Sequence, residues 1–317
     1  MKTKDTVLGI DTSNYTTSAA LINRSGEILS DLRSQLTVKQ GERGLRQSHA
    51  LFQHIETLPH IIEEAIGGNG EKIGAVAVSE RPRPLETSYM PVFKAGESFA
   101  VVISSALGIP VYKFSHQENH IEAVRHYSGL KDRKCFLCFH LSGGTCELLR
   151  VMEGSIEILG GSRDISFGQL IDRTGVHLGL PFPCGAEFDR VALKTDAASN
   201  SLKEIPIRGF EINLSGIETQ SAKLIKVGLN MKERDALIKE ILNKTCNVLI
   251  KMIENAVYST NLHDILFVGG VSSSKFISAA LRDYFCGGDV SIDFGNQRFA
   301  SDNAVGTALL GRKKLWL

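Results

Sequence analysis

The stretch VLGIDTSNYTTSAALINRSGEIL, residues 7–29, has a counterpart in FLCFHLSGGTCELLRVMEGSIEIL, residues 136–159. Each contains an apolar strand, a short turn rich in hydroxyls or glycines, a second apolar strand, a turn with a glycine, and a third strand. Two ordinary hairpins would explain each stretch alone, but repetition of the whole three-strand unit favours duplication. The repeat therefore predicts two related lobes.

A third glycine turn lies in DILFVGGVSSSKF, residues 264–276, between a predicted strand and a serine-capped helix. Glycine lets a ligand approach the backbone closely, so such a turn suits a nucleotide. Residues 48–66 and 232–257 carry apolar side chains at helical spacing. The pattern of three strands followed by helices occurs twice, which predicts a two-lobed α/β fold with a nucleotide cleft between the lobes.

The composition is typical of a folded protein outside the membrane. The chain has 317 residues, 43% of them hydrophobic, and a net charge of +1. These values argue against disorder and against a general nucleic-acid coat. The sequence contains no visible signal peptide and no run near the ~20 apolar residues of a membrane span. We therefore expect a cytoplasmic protein with no membrane attachment.

The cysteines do not predict a disulfide scaffold, because there are only six in a long chain. Cys135 and Cys138 form a CxxC pattern inside the apolar stretch KCFLCFHL. Side chains three positions apart on a strand point to opposite faces, so these two cannot easily share a metal. We expect buried, apolar cysteines.

A histidine pair lies in FSHQENHIEAV, residues 114–124. His116 and His120 are four positions apart, so on a helix their rings can converge on one cation, with a third ligand from elsewhere. The pair alone is better explained as two surface histidines. Glu118 lies two positions from each histidine, roughly 200° around a helix, so it points away from a shared cation. This spacing argues against a zinc peptidase.

The order of the motifs resembles the tRNA threonylcarbamoyladenosine synthase family, formerly called O-sialoglycoprotein endopeptidases. The matching stretches cover nearly the whole chain: DTSN (11–14), HQENH (116–120), LSGGT (141–145), GQLIDRTGVHLGLPFPCGAEFDR (168–190), LSGIET (214–219), FVGGVSSS (267–274) and SDNA (301–304). The resemblance implies the actin-like ATPase fold of sugar kinases and heat-shock ATPases, with duplicated βββαβα-type lobes. We expect residues 1–115 with 302–317 in the N-terminal lobe and residues 116–301 in the C-terminal lobe, with a nucleotide and metal cleft between them.

The resemblance implies an acyltransferase that moves a threonylcarbamoyl group from its adenylate to the N6 amine of an adenosine in tRNA. It implies one divalent metal, iron or zinc, with His116, His120 and Asp302 as ligands. It also implies an adenine nucleotide, as ATP, ADP or the acyl adenylate. The expected partners are tRNA and either a family paralogue in a heterodimer or a second copy in a homodimer, joined through the N-terminal lobe.

The resemblance further implies a set of positions near the nucleotide or substrate, with no residue assigned as catalytic. They are Asp11, Leu141, Ser142, Gly143, Gly144, Thr145, Asp172, Gly185, Asp189, Gly269, Gly270 and Ser274. Carboxylates suit ribose hydroxyls as acceptors. Alternatives stay open, because Asp172 could be a helix surface residue and Asp189 could cap or pair locally.

Some positions depart from the family pattern. Thr145 replaces the usual histidine, Glu218 replaces a usual lysine, and SERPRPLETSYMP, residues 79–91, replaces a glycine-rich loop. Arg81 and Arg83 could bind phosphate there, whereas the prolines remove N–H donors. We expect a divergent bacterial paralogue. Two alternatives remain: a non-catalytic nucleotide- and metal-binding subunit of a tRNA-modification complex, or another actin-like carbamoyltransferase or kinase.

Overall fold

The two sequence repeats fold as two antiparallel three-stranded units, as predicted. The strands of the first are β1 (Thr6–Thr12), β2 (Thr16–Asn23) and β3 (Ile28–Gln35), and those of the second are β6 (Cys135–Leu141), β7 (Cys146–Met152) and β8 (Ser155–Ser162). Gly26 and Gly154, at the second turn of each unit, have φ values of 92° and 83°. Glycine adopts this left-handed backbone without the steric cost of a Cβ.

The computed structural model describes residues 3–13, 15–38 and 45–317, so Asn14 of the DTSN motif lies outside the described residues. The chain divides into a first unit, residues 1–127 with 296–317, and a second unit, residues 128–295. The helix that begins at His116 lies in the first unit. The sequence analysis had expected the boundary after residue 115, which would place this helix in the other lobe.

The first unit contains a five-stranded sheet in the order β3-β2-β1-β4-β5. The last two strands, β4 (Ile73–Arg81) and β5 (Val111–Ser115), run parallel to β1. Its helices are α1 (Gln47–Ile66), α2 (Phe93–Leu107), α3 (His116–His126) and α9 (Val305–Trp316). The predicted helix at 48–66 is confirmed and continues through Pro59.

Every residue of β1 is buried, because helices cover both of its faces. Leu8 and Ile10 belong to a core cluster shared with α1 and α2. Gly9 faces α9, where an added Cβ would lie 2.5 Å from the carbonyl oxygen of Ala304. A strand buried on both faces explains why the apolar run in this sequence is nearly continuous.

The second unit contains a seven-stranded sheet in the order β12-β11-β6-β7-β8-β10-β9. Its inner strands repeat the first sheet, because β11 pairs with β6 and β12 pairs with β11, both in parallel. The remaining elements are β9 (Ile207–Arg208), β10 (Glu211–Ile212), β11 (Asp264–Val268), β12 (Ser291–Asp293), α4 (Phe167–His177), α5 (Gly185–Lys194), α6 (Ser215–Val227), α7 (Met231–Thr260) and α8 (Lys275–Tyr284). The predicted helix at 232–257 is thereby confirmed.

The predicted burial of the CxxC cysteines is confirmed for Cys138 and only in part for Cys135. Cys138 is fully buried in β6 and Cys135 is half-buried at its start, and all six thiols are free. Burial raises the pKa of Cys146, on the neighbouring strand, to about 12. Among the described residues, no helix is both long and apolar enough to span a bilayer.

Candidate metal centre

Helix α3 begins directly at the end of a strand. β5 ends at Ser115, which is also the N-cap of α3. The Ser115 hydroxyl accepts a hydrogen bond from the backbone N–H of Glu118 at 3.2 Å, and a Glu118 carboxylate oxygen accepts from the N–H of Ser115 at 2.7 Å. This capping box starts the helix at His116 and places His120 one turn later on the same side.

Two side chains of α3 and one from a segment far along the chain, Asp302, converge here. Nε2 of His120 lies 3.0 Å from Nε2 of His116 and 3.1 Å from Oδ1 of Asp302. The third distance, between Nε2 of His116 and Oδ1 of Asp302, is 3.5 Å. Ligand atoms that bind zinc tetrahedrally at ~2.0–2.1 Å stand roughly 3.3 Å from one another. The structure therefore brings the three predicted ligands together at a spacing that fits a metal ion.

Two residues around the first turn support these ligands. Oδ1 of Asp11 accepts a hydrogen bond from Nδ1 of His116 at 2.8 Å, and Oγ of Ser13 donates to Oδ2 of Asp302 at 2.6 Å. A carboxylate on the far ring nitrogen fixes the orientation of a ligating histidine and frees Nε2 for a metal. The resemblance assigned Asp11 to a phosphate turn, and the structure places it directly behind His116. Its second oxygen, Oδ2, is buried without a hydrogen-bond partner among the described residues.

The charges of the cluster favour a cation. Burial opposes the charged form of His116, but the carboxylates of Asp11 and Asp302 outweigh it and raise the pKa of His116 to about 10. Burial likewise opposes the charged form of Asp302, yet the hydrogen bonds from both histidines hold its pKa well below the usual range. The donor set of two imidazoles and a carboxylate, backed by a second carboxylate, fits a divalent iron or zinc ion.

A close helix crossing places Asp302 beside the histidines. Oδ1 of Asn119, on α3, accepts a hydrogen bond from the N–H of Thr307 at 2.8 Å, and its amide donates to the carbonyl oxygen of Asn303. A Cβ on Gly306 would lie 1.9 Å from the carbonyl oxygen of Asn119. Only glycine therefore fits where α9 passes α3. The sequence analysis missed Asn119, although it lies inside the HQENH motif.

A third histidine, His54 of α1, lies beneath the turn that carries Ser13. It is fully buried, with Nε2 2.7 Å from the carbonyl oxygen of Ser13 and Nδ1 2.7 Å from Oγ1 of Thr17. Because a carbonyl can only accept, Nε2 carries the proton and Nδ1 accepts from the hydroxyl. Burial lowers the pKa of His54, which keeps the ring neutral. No spacing in the sequence pointed to this residue.

The glutamate between the two histidine ligands is committed to the helix cap. The Glu118 carboxylate accepts from both the N–H and the hydroxyl of Ser115, each at 2.7 Å. A peptidase would need such a carboxylate to act on water at the metal. Its engagement with Ser115 agrees with the helical geometry that argued against peptidase chemistry.

The predicted glycine turns adjoin one another in the second unit. Gly269 follows β11 with a φ of 92°, and a Cβ there would lie 2.4 Å from the carbonyl oxygen of Leu141. Space is open around the Cβ positions of Gly143, Gly144, Gly185 and Gly270. A ligand could approach the backbone at these four glycines.

The turn after β6 is organised by its own side chains. Thr145 accepts through its carbonyl from the N–H of Ser142 at 2.8 Å and donates its N–H to the Ser142 hydroxyl at 3.0 Å. The hydroxyl of Ser166 donates to the carbonyl oxygen of Gly143 at 2.7 Å. The exposed turn is therefore anchored at both ends of its glycine pair.

The two acidic candidates of the second unit already have local partners. Oδ1 of Asp172 accepts from the N–H of Cys184 at 2.8 Å, and burial raises the pKa of Asp172. The carboxylate of Asp189 accepts from the N–H of Lys275 at 2.8 Å and from the hydroxyl of Ser274, which is the N-cap of α8. Asp189 therefore caps locally, the alternative left open above. The nucleotide roles of Asp172, Asp189 and Ser274 stay predictions.

The departures from the family pattern also have partners. Arg81, at the end of β4, donates through Nε to Oε1 of Glu80 at 2.9 Å. Glu218, the reversed charge on α6, pairs with the guanidinium of Arg173 at 3.3 Å. Each replacement is thus neutralised within its own unit.

Solved structures support the fold class. Component A of (R)-2-hydroxyglutaryl-CoA dehydratase from Acidaminococcus fermentans matches with a TM-score of 0.57 and 15% identity, covering 98% of this chain and 99% of that chain. At this identity the likeness concerns the fold alone. Together with the repeated sheet order, it confirms the predicted actin-like ATPase fold.

Sequence comparison identifies the family. The sequence profile described as tRNA N6-adenosine threonylcarbamoyltransferase matches residues 27–309. A protein of that name from Neorickettsia sennetsu is 28% identical over 307 residues, 94% of this chain and 90% of that protein. A probable bifunctional tRNA threonylcarbamoyladenosine biosynthesis protein from Methanothermobacter thermautotrophicus is 24% identical over 96% of this chain, which spans 55% of that protein. The chain belongs to the tRNA N6-adenosine threonylcarbamoyltransferase family, as its motifs predicted.

Proposed function

We propose that this protein transfers a threonylcarbamoyl group from its adenylate to the N6 amine of an adenosine in tRNA. The observation that carries the proposal is the convergence of His116, His120 and Asp302 in a chain of this family. These residues would hold one divalent iron or zinc ion. A bound ion of this kind supplies Lewis-acid polarisation of a substrate oxygen.

The chain's own residues prepare that site in a definite way. Asp11 keeps the proton of His116 on Nδ1, which directs Nε2 toward the ion. Ser13 occupies Oδ2 of Asp302 and so leaves Oδ1 as the ligand atom. Both contacts set the ligand atoms before any substrate binds.

The adenylate would bind in the second unit, at the adjoining glycine turns. Open space at Gly143, Gly144 and Gly270 supports this assignment, because phosphate oxygens could approach the backbone N–H groups there. Calorimetry with ATP, ADP and AMP tests it directly. We expect Gly270→Val to weaken binding, because the valine side chain would fill the open space. If the wild-type protein bound none of the three nucleotides, the proposed site would be refuted.

An association through the first unit is also proposed. Phe52 and Ile55 of α1 are 60% and 49% exposed, and Val102 of α2 is 66% exposed. The exposure of these apolar side chains supports the proposal that a protein partner binds here, either a family paralogue or a second copy of this chain. Sedimentation with and without a candidate paralogue should show association that Phe52→Asp abolishes. Val227→Asp, at an apolar residue of the second unit that is 88% exposed, is the control.

The decisive assay combines threonylcarbamoyl adenylate, unmodified tRNA and the metal-loaded protein, with and without candidate partner proteins. We expect modified adenosine in the tRNA, and loss of product with His120→Ala. Lys94→Ala, which removes a surface ion pair of the first unit, should leave the product unchanged.

The same assay separates the alternatives. Metal and nucleotide binding without product under every condition would refute transfer to tRNA and favour a non-catalytic subunit over the family activity. Product that is independent of His120 would refute the role of the metal cluster.

A further inference from the structure

The segment that carries Asp302 has little regular structure of its own. It follows a short 3-10 helix, Gln297–Phe299, and precedes α9, which begins at Val305. Backbone ladders therefore do not fix the position of Asp302. Side-chain contacts to neighbouring elements must do so.

Strand β3 supplies such contacts through Arg33. Its Nη1 donates to the carbonyl oxygen of Arg298 at 2.9 Å and to the hydroxyl of Ser301 at 3.1 Å. Ser301 immediately precedes Asp302, so one guanidinium holds the chain on the approach to the ligand.

Asp31, two residues earlier on β3, holds that guanidinium in place. Its side chain is 2% exposed and accepts from Nε and Nη2 of Arg33 at 3.0 and 2.9 Å. The same carboxylate accepts from Nη2 of Arg298 at 3.0 Å. A bidentate guanidinium–carboxylate pair is both strong and directional. Asp31 thus joins Arg33 and Arg298 into one clamp across the segment.

We propose that Arg33 and Asp31 are positioning residues that fix the segment of Asp302 and thereby set the affinity of the site for a divalent metal. This inference rests on the metal site of the proposed function. Arg33 and Asp31 touch none of the three ligands in the contacts described above, so their effect would pass through the backbone of residues 298–301.

The test is a competition titration of Zn²⁺ between a chromophoric chelator and the purified protein, combined with thermal unfolding of the metal-free protein. We expect Arg33→Ala and Asp31→Asn to raise the Kd by about 10-fold, the lower end of the range for outer-shell partners. Arg33→Lys should raise the Kd less than Arg33→Ala, because lysine keeps the positive charge. It should still raise the Kd somewhat, because lysine cannot form the two-donor pair with Asp31. Lys94→Ala, which removes a surface ion pair, is the control and should leave the Kd unchanged.

A purely structural role would lower the melting temperature of the metal-free variants while their Kd stayed at the wild-type value. That result would overturn the positioning role alone. Absence of Zn²⁺ binding by the wild type, or binding unaffected by His120→Ala, would overturn the metal site and this inference with it. A raised Kd in a variant that still unfolds cooperatively near the wild-type temperature supports the clamp.

Discussion

Gly306→Ala is the sharpest test of how α3 and α9 build the metal centre. In an ordinary helix this change stabilises a protein by ~1 kcal/mol, because alanine is the better helix former. Here the new Cβ would lie 1.9 Å from the carbonyl oxygen of Asn119 and 2.8 Å from the N–H nitrogen of Ala123. Ordinary contact begins near 3.4 Å, so α9 would have to move away by about 1.5 Å.

The size of the effect follows from this displacement. Overpacking of a close contact typically costs ~1–3 kcal/mol and outweighs the gain in helix propensity. The obstructing atom is a backbone oxygen, which cannot rotate away, so the upper end of this range applies. After subtraction of the ~1 kcal/mol gained in helix propensity, the net loss in the free energy of unfolding should be about 2 kcal/mol, or roughly 2–4 °C in melting temperature per kcal/mol. Because the shift separates Asp302 from the histidines, the affinity for Zn²⁺ should fall as well.

Urea unfolding can be followed by the fluorescence of Trp316, the single tryptophan, which ends α9. Gly70→Ala is the control in the same unit, since its Cβ would meet only the Ile66 side chain at 3.8 Å. We expect this control to be as stable as the wild type. If Gly306→Ala were equally stable and bound Zn²⁺ equally well, the helix crossing would not constrain the site as argued.

Three further outcomes are expected. Asp11→Asn should raise the Kd for Zn²⁺ about 10–100-fold in a competition titration, and an unchanged Kd would remove Asp11 from the support of the ligands. His54 has a lowered pKa in the folded state, so its contribution to stability is complete above the unfolded-state pKa of ~6.5 and is lost as the pH falls below it. Between pH 7.5 and 5.5 in urea unfolding, the free energy of unfolding should therefore fall more for the wild type than for His54→Gln, by up to ~1.4 kcal/mol per pH unit. An equal fall in both proteins would contradict this. Gly269→Ala should lower the melting temperature more than Gly270→Ala, because only Gly269 combines a left-handed φ with a contact of 2.4 Å to Leu141.

The sequence predicted the features that have a local pattern. The two strand triplets were visible because alternating turns and apolar runs mark each of them, and they fold as β1–β3 and β6–β8. His116 and His120 were visible because helical spacing alone puts them on one side. Asp302 was identified only through its family resemblance, since a single aspartate far along the chain carries no signal of its own.

The residues that were missed act through long-range contacts. Asn119 binds Thr307, His54 binds Ser13, and Arg33 binds Ser301, each across a large distance in sequence. Such pairs depend on how helices and strands pack, and no periodicity or motif in one sequence encodes them. Asp189 illustrates the converse case, because the residue was found but its contact with Ser274 at the start of α8 was not.

The altered loop at residues 79–91 leads to a final prediction about catalysis. The sequence suggested that Arg81 and Arg83 replace lost N–H donors with charge. In the folded protein, the Arg81 guanidinium is engaged by Glu80, whose other carboxylate oxygen lies 3.7 Å from Lys113. Phosphate would therefore have to compete with Glu80 for Arg81, which weakens the attraction. Thr145 adds nothing that titrates near neutral pH. We expect weaker or redirected transfer to tRNA than a standard family enzyme gives in the same reconstituted assay, with metal binding intact. Arg81→Ala should lower the rate further, whereas Glu80→Gln, which frees Arg81, should not. An equal rate to the standard enzyme, unaffected by Arg81→Ala, would show that the loop is neutral.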